Sequence, residues 1–453
     1  MRRDRLTVSE LTAESTPGPR RSEAGRFLGT RGMMERMSTD DAATKLDAAD
    51  PLAAFAERFH PMHDDVIYLD GNSLGRPPLD VQAAVDNLTH REWPHDLIRG
   101  WDRWINLPGD VGDLLARTVL GARPGETLVA DSTSVNLYKL AAAALAAAPA
   151  ERRVLVTDDD NFPTDRYILQ GIAEAAGGRL RLIHTDIDAG VTVDAVADAV
   201  GPDTALVCLS HVAYRSGALA DMAAVTDIVQ RAGALMLWDL CHSVGVVDVD
   251  LTGCNVDLAV GCSYEYLNAG PGAPAFLYVR SDLQERLRQP IWGWFSQTDQ
   301  FAMDAEYRPQ AGIGRFAVGT PPVMGLVAVE AAVRLIGEAG IDAIRDKSRL
   351  MVHHATRLAE RHLVPLGFEL ASPLDPQRRG GHLTLRHERA WQISQAMRDA
   401  AVIPDYREPQ RIRLGFAPLY NSYADIETAV DRMVDIVARG RHLDYPAEAT
   451  GVT

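Results

Sequence analysis

Between Tyr68 and about residue 280 the chain alternates short apolar runs with longer helical ones, and nothing else in it constrains the fold as tightly. The runs Val154-Leu-Val-Thr157, Leu180-Arg-Leu-Ile183, Ala205-Leu-Val-Cys-Leu209, Leu235-Met-Leu-Trp238 and Leu258-Ala-Val-Gly261 read as strands. Ala-rich stretches such as Leu137–Ala148 and Ala220–Ala232 fill the gaps as helices. Near-continuous apolar strands separated by helices predict an α/β domain whose mainly parallel sheet is covered on both faces. After about residue 325, a helical segment Val327–Leu363 leads into strand-like Gly381-His-Leu-Thr-Leu385 and Arg411-Ile-Arg-Leu-Gly415, then a closing helix Tyr423–Ala438. The expected division is a large α/β domain with an N-terminal segment at 46–325 and a small α+β domain at 326–445.

Residues 1–45 differ in kind. They are rich in Arg, Ser, Gly and Pro without apolar periodicity, which predicts a disordered extension. No apolar h-region marks a secretory signal, and Asp4, Glu10, Glu14 and Glu23 count against a transit peptide. Met33, Met34 and Met37 fit a misassigned start or a dispensable extension. The net charge of −16 opposes binding to nucleic acid or an anionic membrane. No apolar run reaches the roughly 20 residues of a membrane span, so a cytoplasmic location is expected. Cys208, Cys241, Cys254 and Cys262 have no metal-ligand spacing and read as reduced core residues.

In an open α/β sheet, ligands gather at the carboxyl ends of the strands. Asp131-Ser-Thr-Ser-Val-Asn136 opens a helix, where hydroxyls, main-chain N–H groups and the helix dipole suit a phosphate; the same residues also serve as a plain cap. Asp239 follows an apolar strand and lies three residues before His242. A buried carboxylate there needs a cation, such as a protonated pyridine nitrogen, unless it merely caps the next turn. Tyr68-Leu-Asp-Gly-Asn-Ser-Leu-Gly-Arg-Pro-Pro78 is a loop rich in turn residues.

Taken in order, Asn161-Phe-Pro-Thr-Asp165, Trp238-Asp-Leu-Cys-His242, Gly261-Cys-Ser-Tyr-Glu-Tyr-Leu-Asn-Ala-Gly-Pro-Gly272, Trp292-Gly-Trp-Phe295 and Phe416-Ala-Pro-Leu-Tyr-Asn421 strongly resemble kynureninase, a fold type I pyridoxal-phosphate (PLP) enzyme of the aspartate-aminotransferase-like class. The 68–78 loop and Leu97-Ile-Arg-Gly-Trp101 match as well, and the resemblance covers roughly residues 50–440. It implies that Thr133, Ser134 and Tyr264 hold the cofactor phosphate, that Phe162 stacks on the pyridine ring, and that Asp165 lies near the ring oxygen. It further implies that Asp239 keeps the ring nitrogen protonated beside His242. Trp294 and Thr320 match groups given to the phosphate by a neighbouring subunit, which implies a homodimer with composite sites. Arg413 matches the grip on the substrate α-carboxylate, and Ser73 and Trp101 fall where the family lines the aryl end of its substrate.

At one position the resemblance breaks. The residue after the phosphate tyrosine is lysine in the family, where it carries the cofactor as an imine and shuttles the α-proton; here it is Glu265. An acid cannot form that imine, so no covalent PLP is possible at Glu265, and the site needs either PLP held noncovalently or no cofactor at all. Trp294-Phe-Ser-Gln297 also departs from the family's Trp-Phe-Gly-His. Burial and a phosphate about 6 Å away would both raise the carboxyl pKa, which makes a better general acid/base; alternatively Glu265 only neutralises an arginine.

Three functions follow from this reading. The first is an imine-forming, Pictet–Spengler-type condensation of a tryptophan-like amino acid with an aldehyde or α-keto acid, giving a β-carboline, with Glu265 as acid/base. The second is PLP-dependent hydrolysis of kynurenine or 3-hydroxykynurenine to an anthranilate and alanine. The third is a non-catalytic ligand-binding protein.

Overall fold

The computed structural model describes residues 42–62 and 65–448; the extension expected at 1–45 lies almost wholly outside them. Strands are numbered in chain order: β1 (Ile67–Tyr68), β2 (Thr127–Val129), β3 (Val154–Asp158), β4 (Arg179–Ile183), β5 (Thr204–Ser210), β6 (Leu235–Asp239), β7 (Leu258–Gly261) and β8 (Phe276–Val279). They continue as β9 (Glu369–Leu370), β10 (His382–Arg386), β11 (Val402–Ile403), β12 (Asp405–Arg407) and β13 (Arg411–Gly415).

Seven strands form the main sheet in the order β2-β8-β7-β6-β5-β3-β4. β8 runs antiparallel to both of its neighbours, and the other ladders are parallel. All five strands read from the sequence are present. Alternate residues of β5 enter different cores: Val207 and Leu209 pack on one face, Leu206 and Cys208 on the other. Burial on both faces is why these strands are apolar throughout instead of alternating.

Helix α1 (Thr133–Ala147) starts where the hydroxyl-rich segment predicts, with Ser132 as its cap accepting from the Val135 N–H at 3.4 Å. Helix α2 (Pro163–Ala175) uses Pro163 at its first position, where the missing N–H costs nothing. The expected helix 327–363 is divided at Gly340 (φ 81°) into α3 (Val323–Ala339) and α4 (Ile341–Leu358). A left-handed residue cannot continue a right-handed helix, and glycine adopts it without a Cβ clash.

The second sheet has the order β12-β13-β10-β9, with antiparallel ladders throughout. Its core gathers Met351, Leu383, Ile412 and Met433 of α4, β10, β13 and α5 (Tyr423–Ala438). Two features differ from the expected division of the chain. Ala43, Leu46, Ile67 and Leu69 belong to this second core, because β1 pairs in parallel with β11. Helix α3 instead packs Leu326, Val329 and Val333 into the main-sheet core. No described helix is long and apolar enough to cross a membrane.

Candidate active site

The site forms where the carboxyl ends of β3, β6 and β7 meet the 68–78 loop and strands β10, β12 and β13. Glu265 stands four residues past β7 in a tight turn: the Asn268 N–H donates to its carbonyl at 2.8 Å, and Asn268 takes a left-handed φ of 61°. The 68–78 loop lies directly on this turn, with the Gly75 N–H donating to the Tyr264 carbonyl at 2.8 Å. A Cβ on Gly75 would come within 2.4 Å of the Glu265 carbonyl and 2.2 Å of Asn268 Oδ1. Gly75→Ala should therefore cost ~1–3 kcal/mol by overpacking and displace Glu265; denaturant unfolding checks this.

Glu265 is buried, and its Oε2 has no hydrogen-bond partner. The nearest nitrogen recorded to Oε2 is Nε2 of His242, at 3.9 Å. Burial holds the carboxyl well above its usual range; the Cys262 thiol and Asp239 add to this, and Arg413 opposes it. Burial thus favours the protonated carboxyl. Burial pushes His242 well below its usual range, helped by Arg413, His382 and Arg407, so the imidazole is neutral too. The close pair is an acid facing a base and not an ion pair.

With its folded pKa raised, Glu265 holds a proton that the unfolded chain releases from about pH 4.3 upward. Stability then falls as pH rises from that point through the folded pKa. Glu265→Gln removes this slope, so the variant's Tm should gain on the parent as pH rises above about 4.3.

Asp239 ends β6 and accepts from the Cys241 N–H at 2.8 Å. Asp165, in the first turn of α2, is buried near Asp239, and the two carboxyls influence one another's ionisation. Burial raises both, Asp165 furthest, and the nearby Asp239 charge adds to the rise at Asp165. Asp165 Oδ2 is buried without a partner. Phe162, 39% exposed, meets Tyr214 edge-on at 5.4 Å. Thr133 Oγ1 lies 3.7 Å from Cys241 Sγ at the start of α1, and Ser134 follows, exposed. The Tyr264 hydroxyl is raised, first by the Cys262 thiol and then by burial.

Arg413 is fully buried at the centre of β13. Nη1 donates to the Tyr214 carbonyl at 2.5 Å and lies 3.5 Å from His242 Nε2. Nη2 donates to Ser73 Oγ at 3.0 Å and pairs with Asp405, its cross-strand neighbour on β12. With its amide flipped, Asn72 would accept from Nε and from Nη2, each at 3.2 Å. Asp405 also pairs with Arg407 at 3.1 Å. With its donors engaged by the protein, Arg413 must give up a contact to take a ligand. Trp101 packs against Trp104 and Phe295 at 5.7 and 6.2 Å. Trp294 and Thr320 are exposed, Trp294 against Phe295 and Phe301.

Several members of the cluster escape a reading of the sequence. Cys241 and Cys262 were expected as core residues; the Cys262 N–H lies 3.2 Å from Cys241 Sγ, beside Glu265 and Thr133, because β6 and β7 run in register. Asp405 and His382 reach the site only through sheet pairing. A signal for Asp405 does exist: Asp405-Tyr-Arg407 precedes Arg411-Ile-Arg413 at hairpin spacing, and a buried arginine needs an acid opposite. The whole chain also contains three lysines. Lys139 is held by Asp131 and the Phe316 carbonyl, at 2.7 and 2.8 Å. Lys347 is held by Asp50 and the Pro418 carbonyl, at 2.7 and 2.6 Å. Lys45 is exposed on the helix Ala42–Ala48.

Known proteins resemble this chain in sequence and in fold. Residues 115–386 match the aminotransferase class-V family model, and residues 344–433 match the kynureninase C-terminal domain. Kynureninase of Pseudomonas fluorescens is 39% identical over 410 residues, covering 89% of this chain and 96% of that protein. Kynureninase of Burkholderia pseudomallei (strain 1106a) is 40% identical over 408 residues, covering 88% and 96%. Among solved structures, apo cysteine desulfurase from Thermococcus onnurineus NA1 superimposes with a TM-score of 0.75 at 19% identity, over 85% of this chain and 98% of that one. A lysine-to-alanine mutant of the cystine C-S lyase C-DES, with glycine covalently linked to the PLP cofactor, gives 0.71 at 19% identity, over 82% and 97%. The structural likenesses establish the α/β fold type I architecture, and the sequence identity establishes that this chain belongs to the kynureninase family.

Proposed function

We propose that the chain is a PLP-dependent hydrolase of an aromatic α-amino acid of the kynurenine type, releasing an anthranilate and alanine. We propose further that Glu265 stands where the family carries its cofactor lysine. The observation that carries the reaction is the 39% identity to a kynureninase across 89% of this chain.

The residues fit the cofactor in all but the covalent link. Asp165 and Asp239 form a buried acid pair with an orphaned oxygen, and a protonated pyridine nitrogen is the partner that such a pair lacks. Thr133, Ser134 and Tyr264 would hold the phosphate at the start of α1, Phe162 the ring face, and Asp239 with His242 the ring edge. When bound, pyridoxal phosphate supplies an electron-withdrawing ring that stabilises negative charge at the substrate α-carbon. Trp294 and Thr320 are both exposed and would donate to the phosphate of a second copy, which makes the assembly a homodimer. Sedimentation should then give twice the chain mass, and Trp294→Ala should weaken PLP binding.

Within the pocket, Arg413 and Ser73 orient the substrate carboxylate, and Trp101 with Phe295 walls the aryl end. Glu265 gives and takes the proton at the substrate α-carbon. A neutral, water-shielded carboxyl suits this better than an ordinary glutamate, because its pKa lies closer to neutrality. The C-DES mutant offers a precedent in this fold, since there an amino acid is linked to the cofactor although a lysine has been replaced.

The lysine inventory favours a second reading. Among the described residues, Lys139 and Lys347 are buried in ion pairs and Lys45 lies on the helix Ala42–Ala48, so no lysine is committed to the site. A tryptophan-like amino acid would then add its own amine to an aldehyde or α-keto acid, and its indole carbon would close on the imine carbon, with loss of water. Glu265 would protonate the departing oxygen and then take the ring proton. Incubating the protein, with and without PLP, with kynurenine, 3-hydroxykynurenine, or tryptophan plus a carbonyl panel separates the readings by mass spectrometry. Anthranilate above the PLP-only background supports hydrolysis. A tryptophan–carbonyl adduct without anthranilate supports condensation, and neither product removes both.

A further inference from the structure

Glu265 Oε2, His242 Nε2 and Arg413 Nη1 converge on one point inside the protein. Oε2 is buried without a hydrogen bond, 3.9 Å from Nε2, which lies 3.5 Å from Nη1. A guanidinium has no acceptor, so Nε2 presents its lone pair to Arg413 and the ring proton sits on Nδ1. The same lone pair is the nearest recorded base for a proton on Glu265. A shift of about 1 Å would bring Oε2 and Nε2 to hydrogen-bond distance.

We propose that Glu265 and His242 form a proton-transfer pair, armed when a ligand carboxylate takes Nη1 of Arg413 away from His242. This rests on the reading of Arg413 as a carboxylate grip. The contacts indicate which donor yields: Tyr214 and Ser73 hold Arg413 at 2.5 and 3.0 Å and Asp405 pairs with it, whereas the His242 contact is long. An incoming carboxylate frees the Nε2 lone pair and brings a negative charge beside the ring, which favours imidazolium. The Glu265 O–H bond then breaks as the Nε2–H bond forms, leaving a carboxylate beside an imidazolium with no change in net charge. Glu265 becomes a base only once an amino acid is in place, and otherwise rests as a neutral, inexpensively buried acid.

The groups recorded around the imidazole are consistent with this assignment. Arg413 and Arg407 face it from β13 and β12, His382 from β10, and the Asn72 main-chain carbonyl bonds it from the loop. His382 lies 6.0 Å away ring to ring and is pushed down to about 3 by burial and Arg413, so it does not compete for the proton. His242 acts through Glu265 and is a positioning residue.

Infrared difference spectroscopy on the full chain tests the pair, using 3-phenylpropionate as a carboxylate that cannot react and 3-phenylpropionamide as its uncharged counterpart. Calorimetry measures binding in parallel. The C=O stretch of a protonated carboxyl, assigned by its absence in Glu265→Gln, should vanish on adding the acid, persist with the amide, and persist with the acid in His242→Gln. Ring-carbon NMR shifts of histidine-labelled parent protein should report imidazolium formation without any variant. If the acid binds and the band remains in the parent, or vanishes equally in His242→Gln, the pair is overturned while the carboxylate grip survives. If the acid does not bind, the grip fails and the pair with it.

Discussion

Glu265→Gln is expected to lower turnover by ~10²–10⁴-fold, the range lost when a positioned acid/base is removed. Glutamine keeps the shape and the hydrogen-bonding capacity, so KM and the affinity for PLP should change little. A loss confined to kcat identifies proton transfer as the lost function, whereas equal losses in binding would identify Glu265 as a packing residue. Glu265→Lys should act in the opposite sense: with the ring-facing and phosphate-facing residues in place, an amine at this position should raise kynurenine hydrolysis and give a borohydride-trappable bond to PLP. No gain in the lysine variant would mean that Trp294-Phe-Ser-Gln297, or another departure from the family, also limits the reaction.

Arg413→Ala is expected to have the largest effect on stability. It strips one of two arginine partners from Asp405, which is fully buried and keeps Arg407 at 3.1 Å. Breaking a buried pair on one side typically costs ~3–5 kcal/mol when the charge left behind is uncompensated, and the remaining Arg407 places this loss towards the lower end. Denaturant unfolding measures the loss. Replacing both residues with apolar ones of similar volume, Arg413→Met with Asp405→Leu, should recover part of the stability, since Arg407 then loses its own pair with Asp405. Carboxylate binding should not return with it. If the double variant bound 3-phenylpropionate as the parent does, Arg413 would be a structural arginine and the ligand grip would lie elsewhere, with Arg407 the nearest candidate.

Much of the fold is legible in the sequence because burial on both faces leaves a sharp mark. The five central strands appear as uninterrupted apolar runs, and α5 and β13 begin and end where their patterns do. Strands β2 and β8 are harder to see: at three and four residues they are too short for periodicity to separate them from neighbouring apolar loops. The attachment of Ile67 and Leu69 to the second core is invisible for another reason, since a two-residue parallel pairing with β11 leaves no local signal. The site divides along the same line. Residues on strand ends and helix starts, such as Thr133, Asp165, Asp239 and Glu265, sit in motifs. Asp405, His382 and the Cys241–Cys262 neighbours meet the site only through sheet register. The contact between Asp165 and Asp239, and the saturation of Arg413 by the protein's own acceptors, are likewise properties of packing.

The central claim is that this kynureninase-family pocket works with an acid, and with no amine, beside the cofactor. Borohydride reduction of the protein equilibrated with pyridoxal phosphate, followed by peptide mass spectrometry, tests it most directly. The expected result is an unmodified chain, with the cofactor recovered after denaturation. A phosphopyridoxyl group on Lys45, Lys139 or Lys347 would contradict it.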